Sequence, residues 1–358
     1  MHYFSHIRTK NRDMSPECRE KAGHISLHLA TLLLFTCTLL LSGCSSDKAS
    51  REFFAMDTVM RISASGGNAE QALEDAEAEI NRLDRLFSIS VSDSDIARLN
   101  RSGRGAVSAE TGQLLERSAE FSSRTDGAFD ITVYPLEKLW GFYDGNQKVP
   151  SKAALSSALQ SVGMEHCHID RQSVVLDAGT QLDLGAIAKG YASYRAAELI
   201  QDAGVSSANL SLGGNIHVVG AKPDGSNWKV AIADPNNPDS YAGILEVQDT
   251  AVVTSGGYQR FFRENGTVYH HILDPKTGYP ADNTLLSVSI ISRDDVLADA
   301  LSTALFVMGE DKAIDFWKSA AFDFEMILIT KEGSVLCSEG VSNSFTPAAS
   351  YEREVISR

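Results

Sequence analysis

Residues 181–191, Gln-Leu-Asp-Leu-Gly-Ala-Ile-Ala-Lys-Gly-Tyr, set a carboxylate, a lysine and two glycines in close succession where the hydrophobic period changes. Residues 174–176 and 182–184 read as short strands, whereas 191–199 carry the apolar spacing of a helix. Residues 185–190 are therefore expected to straddle a helix start, where backbone N–H groups lack partners and the helix dipole is positive. A phosphate can dock at such an end, with Lys189 adding a full charge and Gly185 letting the backbone come close. Asp183 is then available to a metal or a ligand hydroxyl. A tight turn with a merely solvated lysine accounts for the same letters. The order is not that of a Walker A loop, which needs Gly-Lys-Ser/Thr.

Outward from this stretch the elements come in blocks. Residues 53–64 alternate loosely and read as a first strand. Asn68 stands at an N-cap with Gln71 three positions on, and Leu73, Ala76, Ile80, Leu83 and Phe87 recur at helical spacing. The opposite face of that helix, with Glu70, Glu74, Asp75 and Glu77, reads as solvated. Further helices are expected over 94–100, 109–123, 151–162 and 296–308. Strands are expected over 209–212, 216–219, 228–233, 244–254, 259–262, 270–273 and 285–291, with a closing hairpin from 326–329 and 333–337. Strict βαβ alternation is missing, so the pattern indicates α+β with largely antiparallel sheets flanked by helices.

The N-terminal segment reads as a leader. Arg19 and Lys21 precede an apolar run from Ile25 to Leu41 that closes on Leu-Ser-Gly-Cys at 41–44, which is a bacterial secretory signal rather than a spanning helix. Its last four residues resemble the lipobox of bacterial lipoproteins. On that resemblance Cys44 is the lipidated, palmitate-bearing first residue of a mature chain anchored in the bacterial cell envelope and facing the periplasm. An ordinary cleaved signal with an incidental Cys44 is the alternative, and Met14 offers a second start. The chain then divides into a leader (1–43), an anchor linker (44–52), a folded domain (53–342) and a polar tail (343–358).

Composition narrows the function. The net charge of −15 disfavours non-specific binding to nucleic acid, and an anionic ligand would need a local positive group or a metal. Only Cys167 and Cys337 fall in the folded part, without a CxxC or a Cys/His cluster, so zinc is not expected. An oxidising compartment permits a disulfide between them, although nothing in the sequence brings them together.

Two constellations carry chemistry. Asp299, Ser302 and Thr303 lie at i, i+3 and i+4 of the helix expected over 296–308, so one carboxylate and two hydroxyls share a face as hard oxygen donors of the kind Mg²⁺ or Ca²⁺ prefers. Back-bonding hydroxyls and a surface carboxylate are the plain alternative. His270-His271 abuts the turn string Asp-Pro-Lys-Thr-Gly at 274–278, and a strand presents only one of the pair to a given site, as a base or a structural group. Gly213-Gly214 and Ser255-Gly256-Gly257 mark close backbone approaches or turns.

Taken in order, these pieces resemble the ApbE family of FAD:protein FMN transferases. The resemblance rests on Ala-Met-Asp-Thr at 55–58, Phe87-Ser88, Asp-Gly-Ala-Phe-Asp at 126–130, Pro135-Leu136 with Trp-Gly-Phe at 140–142, and Asp-Leu-Gly-Ala-Ile-Ala-Lys-Gly at 183–190. It continues through Gly-Gly-Asn at 213–215, Thr-Ser-Gly at 254–256, His-Ile-Leu-Asp-Pro-Lys-Thr-Gly at 271–278 and Ala-Asp-Ala-Leu-Ser-Thr-Ala at 298–304. One departure is Gly257, where relatives often carry a polar or acidic residue.

The resemblance implies a T-fold-related architecture and Mg²⁺-dependent transfer of the FMN half of FAD to a Ser or Thr hydroxyl of a target protein, with release of AMP. It implies FAD contacts from Met56, the Ala128-Phe129-Asp130 turn, Asp183, Lys189 and Ile272. It also implies Mg²⁺ ligation by the Ala186 carbonyl, Asp299 and Thr303, with Ser302 close by. The acceptor would be a membrane or periplasmic redox subunit with a Ser/Thr flavinylation motif. A metal and a lysine together neutralise a pyrophosphate and stabilise its leaving phosphate, in agreement with this picture. His271 is the expected base, with Asp274 and Asp183 as alternatives. A metal-dependent FAD pyrophosphatase giving FMN and AMP, and a non-catalytic flavin-binding lipoprotein, are the rival readings.

Overall fold

The computed structural model describes residues 48–358. The expected leader, Cys44 with its expected lipid, and the start of the 44–52 linker lie outside the described residues. The described chain begins with an antiparallel hairpin of β1 (Lys48–Ala55) and β2 (Thr58–Ser65), linked by Met56 and Asp57. Both linking residues have positive φ, 47° and 59°, as in the two-residue turns whose twist matches the flanking strands and which ordinarily use Asn-Gly. The single strand expected over 53–64 is thus two strands, and residues 48–52 belong to the first. With no glycine at the turn, nothing in the alternation marked it.

α1 (Ala69–Phe87) buries Leu73, Ala76, Ile80, Leu83 and Phe87, as their spacing requires, but Asn68 makes no side-chain capping bond. α2 (Asp95–Ser102), β3 (Arg104–Ala106), α3 (Ala109–Arg124), α4 (Tyr134–Trp140) and α5 (Lys152–Ala158) follow. Ser94, Ser108 and Ser151 cap three of these helices by accepting the amides of Ala97, Thr111 and Ala154. β4 (Cys167–Asp170) and β5 (Ser173–Leu176) join β3 in a small antiparallel sheet. Residues 182–184 form no strand; only Gln181 bridges to Val133.

Next come α6 (Ala188–Asp202), β6 (Ser207–Leu212), β7 (Asn215–Val219), β8 (Trp228–Asp234), β9 (Asn237–Val247), β10 (Thr250–Gly256), β11 (Phe261–Glu264) and β12 (Thr267–His270). The chain closes with β13 (Leu285–Ser292), α7 (Asp295–Met308), α8 (Glu310–Lys318), β14 (Glu325–Thr330), β15 (Ser334–Ser338), β16 (Phe345–Pro347) and β17 (Glu352–Ile356). Nine strands build the main sheet in the order β1-β2-β6-β7-β10-β13-β14-β15-β17. Every neighbouring pair is antiparallel except β15 and β17.

Both faces of this sheet are covered. Ala251 and Val253 of β10 and Met326 and Leu328 of β14 face a core beneath α1, α6 and α7. The intervening Val252, Ile327 and Ile329 face a second core, closed by the three-stranded sheet β16-β9-β8 through Phe345, Leu245 and Ile232. Strands buried on both faces read as near-continuous apolar runs. That is how the expected strand over 244–254 conceals β9 and β10, which belong to different sheets and part at Asp249, where φ is 48°. The polar tail at 343–358 holds two strands: β16 pairs with β9 and β17 with β15. Among the described residues Cys167 and Cys337 form no disulfide; Cys167 is buried in the helix-covered core and Cys337 in the second.

A third, smaller core centres on Trp140, packed by Leu136, Leu155 and Leu273. Its indole stacks near Phe142 and Tyr269, and Nε1 donates to the Gly278 carbonyl at 2.8 Å. This core fixes the turn at 274–278 and the hairpin β11–β12, which closes just before His271.

Candidate active site

Strand ends of the main sheet and the start of α6 enclose a cavity of about 730 Å³. Its rim includes the Met56-Asp57 turn and the Gly213-Gly214 turn between β6 and β7. Gly213 has φ 62°, and a Cβ there would stand 2.4 Å from Cγ2 of Thr58, so only glycine lets the two turns touch. The Thr254 amide donates to the Gly214 carbonyl at 3.1 Å, which ties the end of β10 to the same rim.

Met56, Ala128, Phe129 and Asp130 line this cavity, together with Asp183, Ala186 and Lys189 from the opening stretch. His271, Ile272, Asp299 and Thr303 also line it. Two sequence candidates do not. Ser302 is fully buried; its hydroxyl donates to the Asp299 carbonyl at 2.8 Å and meets Ser255 Oγ at 2.8 Å, the back-bonding habit of a helical serine. The Asp274 carboxylate accepts the Lys276 amide at 2.8 Å and the Thr277 hydroxyl at 3.2 Å, so it is used in its own turn rather than in the cavity lining.

The start of α6 differs from the open amide cradle expected. The Gly185 amide donates to Asp183 Oδ1 (2.6 Å), those of Ile187 and Ala188 to the Leu184 carbonyl (3.0 and 2.8 Å), and that of Gly190 to Asp299 Oδ2 (2.7 Å). An anion does occupy this helix end, but it is the chain's own carboxylate from α7. Asp299 is thereby held by one oxygen while its side chain still borders the cavity. Lys189 Nζ donates to the Gly185 carbonyl at 3.2 Å.

The cavity can therefore offer three hard oxygens, from the Ala186 carbonyl, the Asp299 carboxylate and the Thr303 hydroxyl, which is donor chemistry that suits a small divalent cation. Among the described residues no three His, Cys, Asp or Glu side chains gather as a metal cage, so the carbonyl and hydroxyl are needed to complete such a set. The charge balance points the same way. Asp57, Asp84, Asp130, Glu137, Asp183 and Asp299 line the cavity against only Lys189 and Arg260, and a phosphate could not enter so acidic a space without added positive charge. Burial raises the Asp130 carboxyl above its usual range, which lightens this excess. Asn215 adds a buried Nδ2 that has no partner among the described residues, an orphaned donor at the cavity wall.

The two histidines divide as a strand end requires. His270 packs edge-on against Phe306 and donates from Nε2 to the Ala281 carbonyl at 3.0 Å. A Cβ on Gly257 would lie 2.8 Å from its ring, so the glycine makes room for this structural histidine. His271 faces the cavity. Its Nδ1 lies 3.3 Å from the Arg260 carbonyl, which can only accept, so Nδ1 carries the proton and Nε2 has the free lone pair. Burial, and then the Arg260 charge, lower its pKa to about 4, leaving it neutral at pH 7.

Sequence reading missed three cavity groups, Glu137, Tyr143 and Arg260. Tyr143 is 39% exposed as a residue, yet its hydroxyl donates to Asp183 Oδ2. Their spacing from Asp183 in the chain has no period, and only the packing of the third core brings them there.

With this geometry in place, the family follows from comparison with known proteins. A family model described as the ApbE family matches residues 56–328. The chain belongs to the ApbE family. It is 31% identical over 331 residues to an FAD:protein FMN transferase of Vibrio cholerae, covering 88% of this chain and 98% of that protein. It is 36% identical over 263 residues to one from Treponema pallidum, covering 68% and 72%. Among solved structures, an ApbE protein from Thermotoga maritima superposes with a TM-score of 0.78 at 33% identity, covering 83% of this chain and 99% of that one. The flavin transferase ApbE from Vibrio cholerae gives 0.72 at 28% identity, covering 85% and 98%. The α+β architecture, mostly antiparallel with flanking helices, is thus that of ApbE proteins, and the ApbE matches span most of the described chain.

Proposed function

We infer that this chain is an FAD:protein FMN transferase, which moves the FMN half of FAD onto a Ser or Thr hydroxyl of an acceptor protein and releases AMP. The observation that carries this reading is the convergence of Ala186, Lys189, His271, Asp299 and Thr303 on one cavity in an ApbE fold. The acceptor oxygen attacks the phosphorus bonded to the riboflavin half; the new O–P bond forms as the bridging bond to the AMP phosphate breaks. The hydroxyl proton passes to Nε2 of His271, which is neutral and fixed in the required tautomer by the Arg260 carbonyl. Lys189 and Arg260 supply fixed positive charge for the pyrophosphate. The Ala128-Phe129-Asp130 turn, Met56 and Ile272 give the cavity its apolar and turn-shaped walls for the nucleotide, and Asp183 and the orphaned Asn215 amide give it polar partners.

Ala186, Asp299 and Thr303 would hold Mg²⁺, and a bound Mg²⁺ would screen the pyrophosphate charge and stabilise the departing phosphate. Asp299 is preset for this by the Gly190 amide, which fixes one of its oxygens. Cys44 would carry the lipid anchor, placing the enzyme on the envelope with its acceptor, a redox subunit, at the membrane or in the periplasm.

Incubation of the protein with FAD, Mg²⁺ and a candidate acceptor tests the reading. Flavin fluorescence that stays on the acceptor band in a denaturing gel is expected. Free FMN and AMP without a covalent adduct would make the protein a pyrophosphatase, and tight stoichiometric FAD binding without turnover would make it a binder.

A further inference from the structure

Ser255 stands at the end of β10, where the sequence marks only a turn, and strand alternation decides its direction. Ala251 and Val253 of that strand face the helix-covered core, so Ser255, two residues on, faces the same side, toward α7 and at the cavity wall. The strand end is held by the Thr254 amide on the Gly214 carbonyl at 3.1 Å and by the Thr254 hydroxyl, 2.7 Å from Ser289 Oγ on β13. Ser255 Oγ lies 2.8 Å from Ser302 Oγ and 3.3 Å from Thr303 Oγ1, both on α7. Ser302 Oγ in turn lies 2.8 Å from the Asp299 carbonyl oxygen.

Each hydroxyl owns a single hydrogen, so the order of donation along this chain is decided at its buried end. A carbonyl only accepts, and the Ser302 hydrogen therefore lies on Asp299. Ser302 is then left to accept from Ser255, and Ser255, its own hydrogen spent, is left to accept from Thr303. The Thr303 hydrogen thus points at Ser255, which leaves the lone pairs of Oγ1 to the cavity that Thr303 borders. A helical serine or threonine ordinarily bonds back to the carbonyl one turn earlier. Here Ser302 occupies the Asp299 carbonyl that Thr303 would use.

We propose that Ser255 is a positioning residue for the cation: by taking the Thr303 hydrogen it turns a lone pair of Thr303 Oγ1 toward bound Mg²⁺. This rests on the metal set of Ala186, Asp299 and Thr303 argued above and deepens it. A cation attracts a lone pair and repels a hydroxyl hydrogen, so a threonine whose hydrogen is already placed binds without first being turned. Ser302, which does not line the cavity, enters the site as the anchor of this relay.

The test is the dissociation constant of Mn²⁺, which takes the same oxygen donors as Mg²⁺, read from its electron paramagnetic resonance signal on the full-length protein with saturating FAD and no acceptor. Partners that orient a ligand typically change metal affinity by about 10–100-fold, so Ser255→Ala is expected to weaken Mn²⁺ binding by at least about tenfold. Ser255→Thr keeps the accepting oxygen and is expected to stay within about twofold of wild type. In a Thr303→Val background, Ser255→Ala is expected to add less than about twofold, because the serine acts only through the threonine. In FMN transfer, Ser255→Ala should raise the Mg²⁺ concentration for half-maximal rate by the same factor, with the rate at saturating Mg²⁺ changed by less than about threefold. Unchanged Mn²⁺ affinity in Ser255→Ala, or an equal loss on the Thr303→Val background, overturns the relay while leaving the metal site intact. Thr303→Val binding as tightly as wild type, or no Mn²⁺ binding by the wild type, overturns the metal reading with it. Thermal unfolding separates a lost contact from a lost fold, and if Ser255→Ala does not fold, Ser302→Ala decides. That substitution frees the Ser255 hydrogen to occupy Thr303 Oγ1, so Mn²⁺ binding should weaken, and undiminished affinity overturns the proposal.

Discussion

Asp299 serves two purposes through two oxygens, and substitutions can separate them. One oxygen accepts the Gly190 amide at 2.7 Å and so caps α6 from outside, while the carboxylate borders the cavity as the only charged member of the proposed metal set. Asparagine keeps an acceptor for the amide and loses the charge. Asp299→Asn is expected to unfold near the wild-type temperature but to lose at least about 100-fold in FMN transfer. Asp299→Ala is expected to lose as much activity and also about 1 kcal/mol of stability with the cap. Wild-type transfer by Asp299→Asn at low Mg²⁺ would remove the metal role. His271 gives a second outcome, argued from its pKa of about 4. A base held neutral by burial loses activity only when pH falls through its own pKa, so the acid limb of kcat/KM should lie well below the ordinary histidine value of about 6.5. His271→Ala should cost about 10²–10⁴-fold and abolish that limb; a limb at 6.5 would contradict the burial argument. The i, i+4 pair Asp299 and Thr303 was legible because helical periodicity alone puts both on one face. Ser302 was not separable from them, since whether a serine bonds back to its own helix depends on what faces it, here Ser255.

At the scale of elements, the site depends on the contact between α6 and α7. A Cβ on Gly190 would lie 2.4 Å from the Asp295 carbonyl oxygen and 2.8 Å from Asp299 Cβ, and backbone cannot yield there as a flexible side chain could. Gly190→Ala is therefore expected to force the helices apart, lower stability by about 1–3 kcal/mol and weaken FAD binding, because it shifts Asp299 and the start of α6 together. Calorimetry with an FAD titration checks it; a variant with unchanged unfolding temperature and affinity would show that the helices separate without cost. The two glycines of the opening stretch were visible in the sequence, but their purpose was not, because the partner of Gly190 lies more than a hundred residues away. The same limit explains the other element-scale differences. Apolar runs reveal that strands lie over 244–254 and 326–329, yet they cannot show that β9 and β10 part into different sheets, nor find a turn made from Met56 and Asp57. They also overlook β17, whose side chains are all exposed apart from Ile356.

At the scale of the whole molecule, the cavity lies where the helix-covered core and the Trp140 core meet, while the far edge of the main sheet is remote from it. β17 pairs with β15 at that edge, Ile356 is only 6% exposed, and Arg353 Nη1 donates to the Ser342 and Phe345 carbonyls at 3.0 and 3.3 Å. None of residues 348–358 lines the cavity. Deleting them uncovers the hydrogen-bonding edge of β15 and part of the second core, so the unfolding temperature should fall, by roughly 2–4 °C for each kcal/mol lost, and association through the open edge should increase. Ligand linkage should survive the deletion. FAD with Mg²⁺ at about 100 times the dissociation constant stabilises a folded state by about 2.7 kcal/mol, whatever the starting stability, provided that the site itself is unchanged. The truncated protein is thus expected to melt earlier than the full chain yet gain the same increment from FAD and Mg²⁺. If that increment disappears while the truncated chain still melts cooperatively, the strands at the far edge must hold the cavity in shape through β13 and α7, and the site would belong to the whole sheet rather than to one rim.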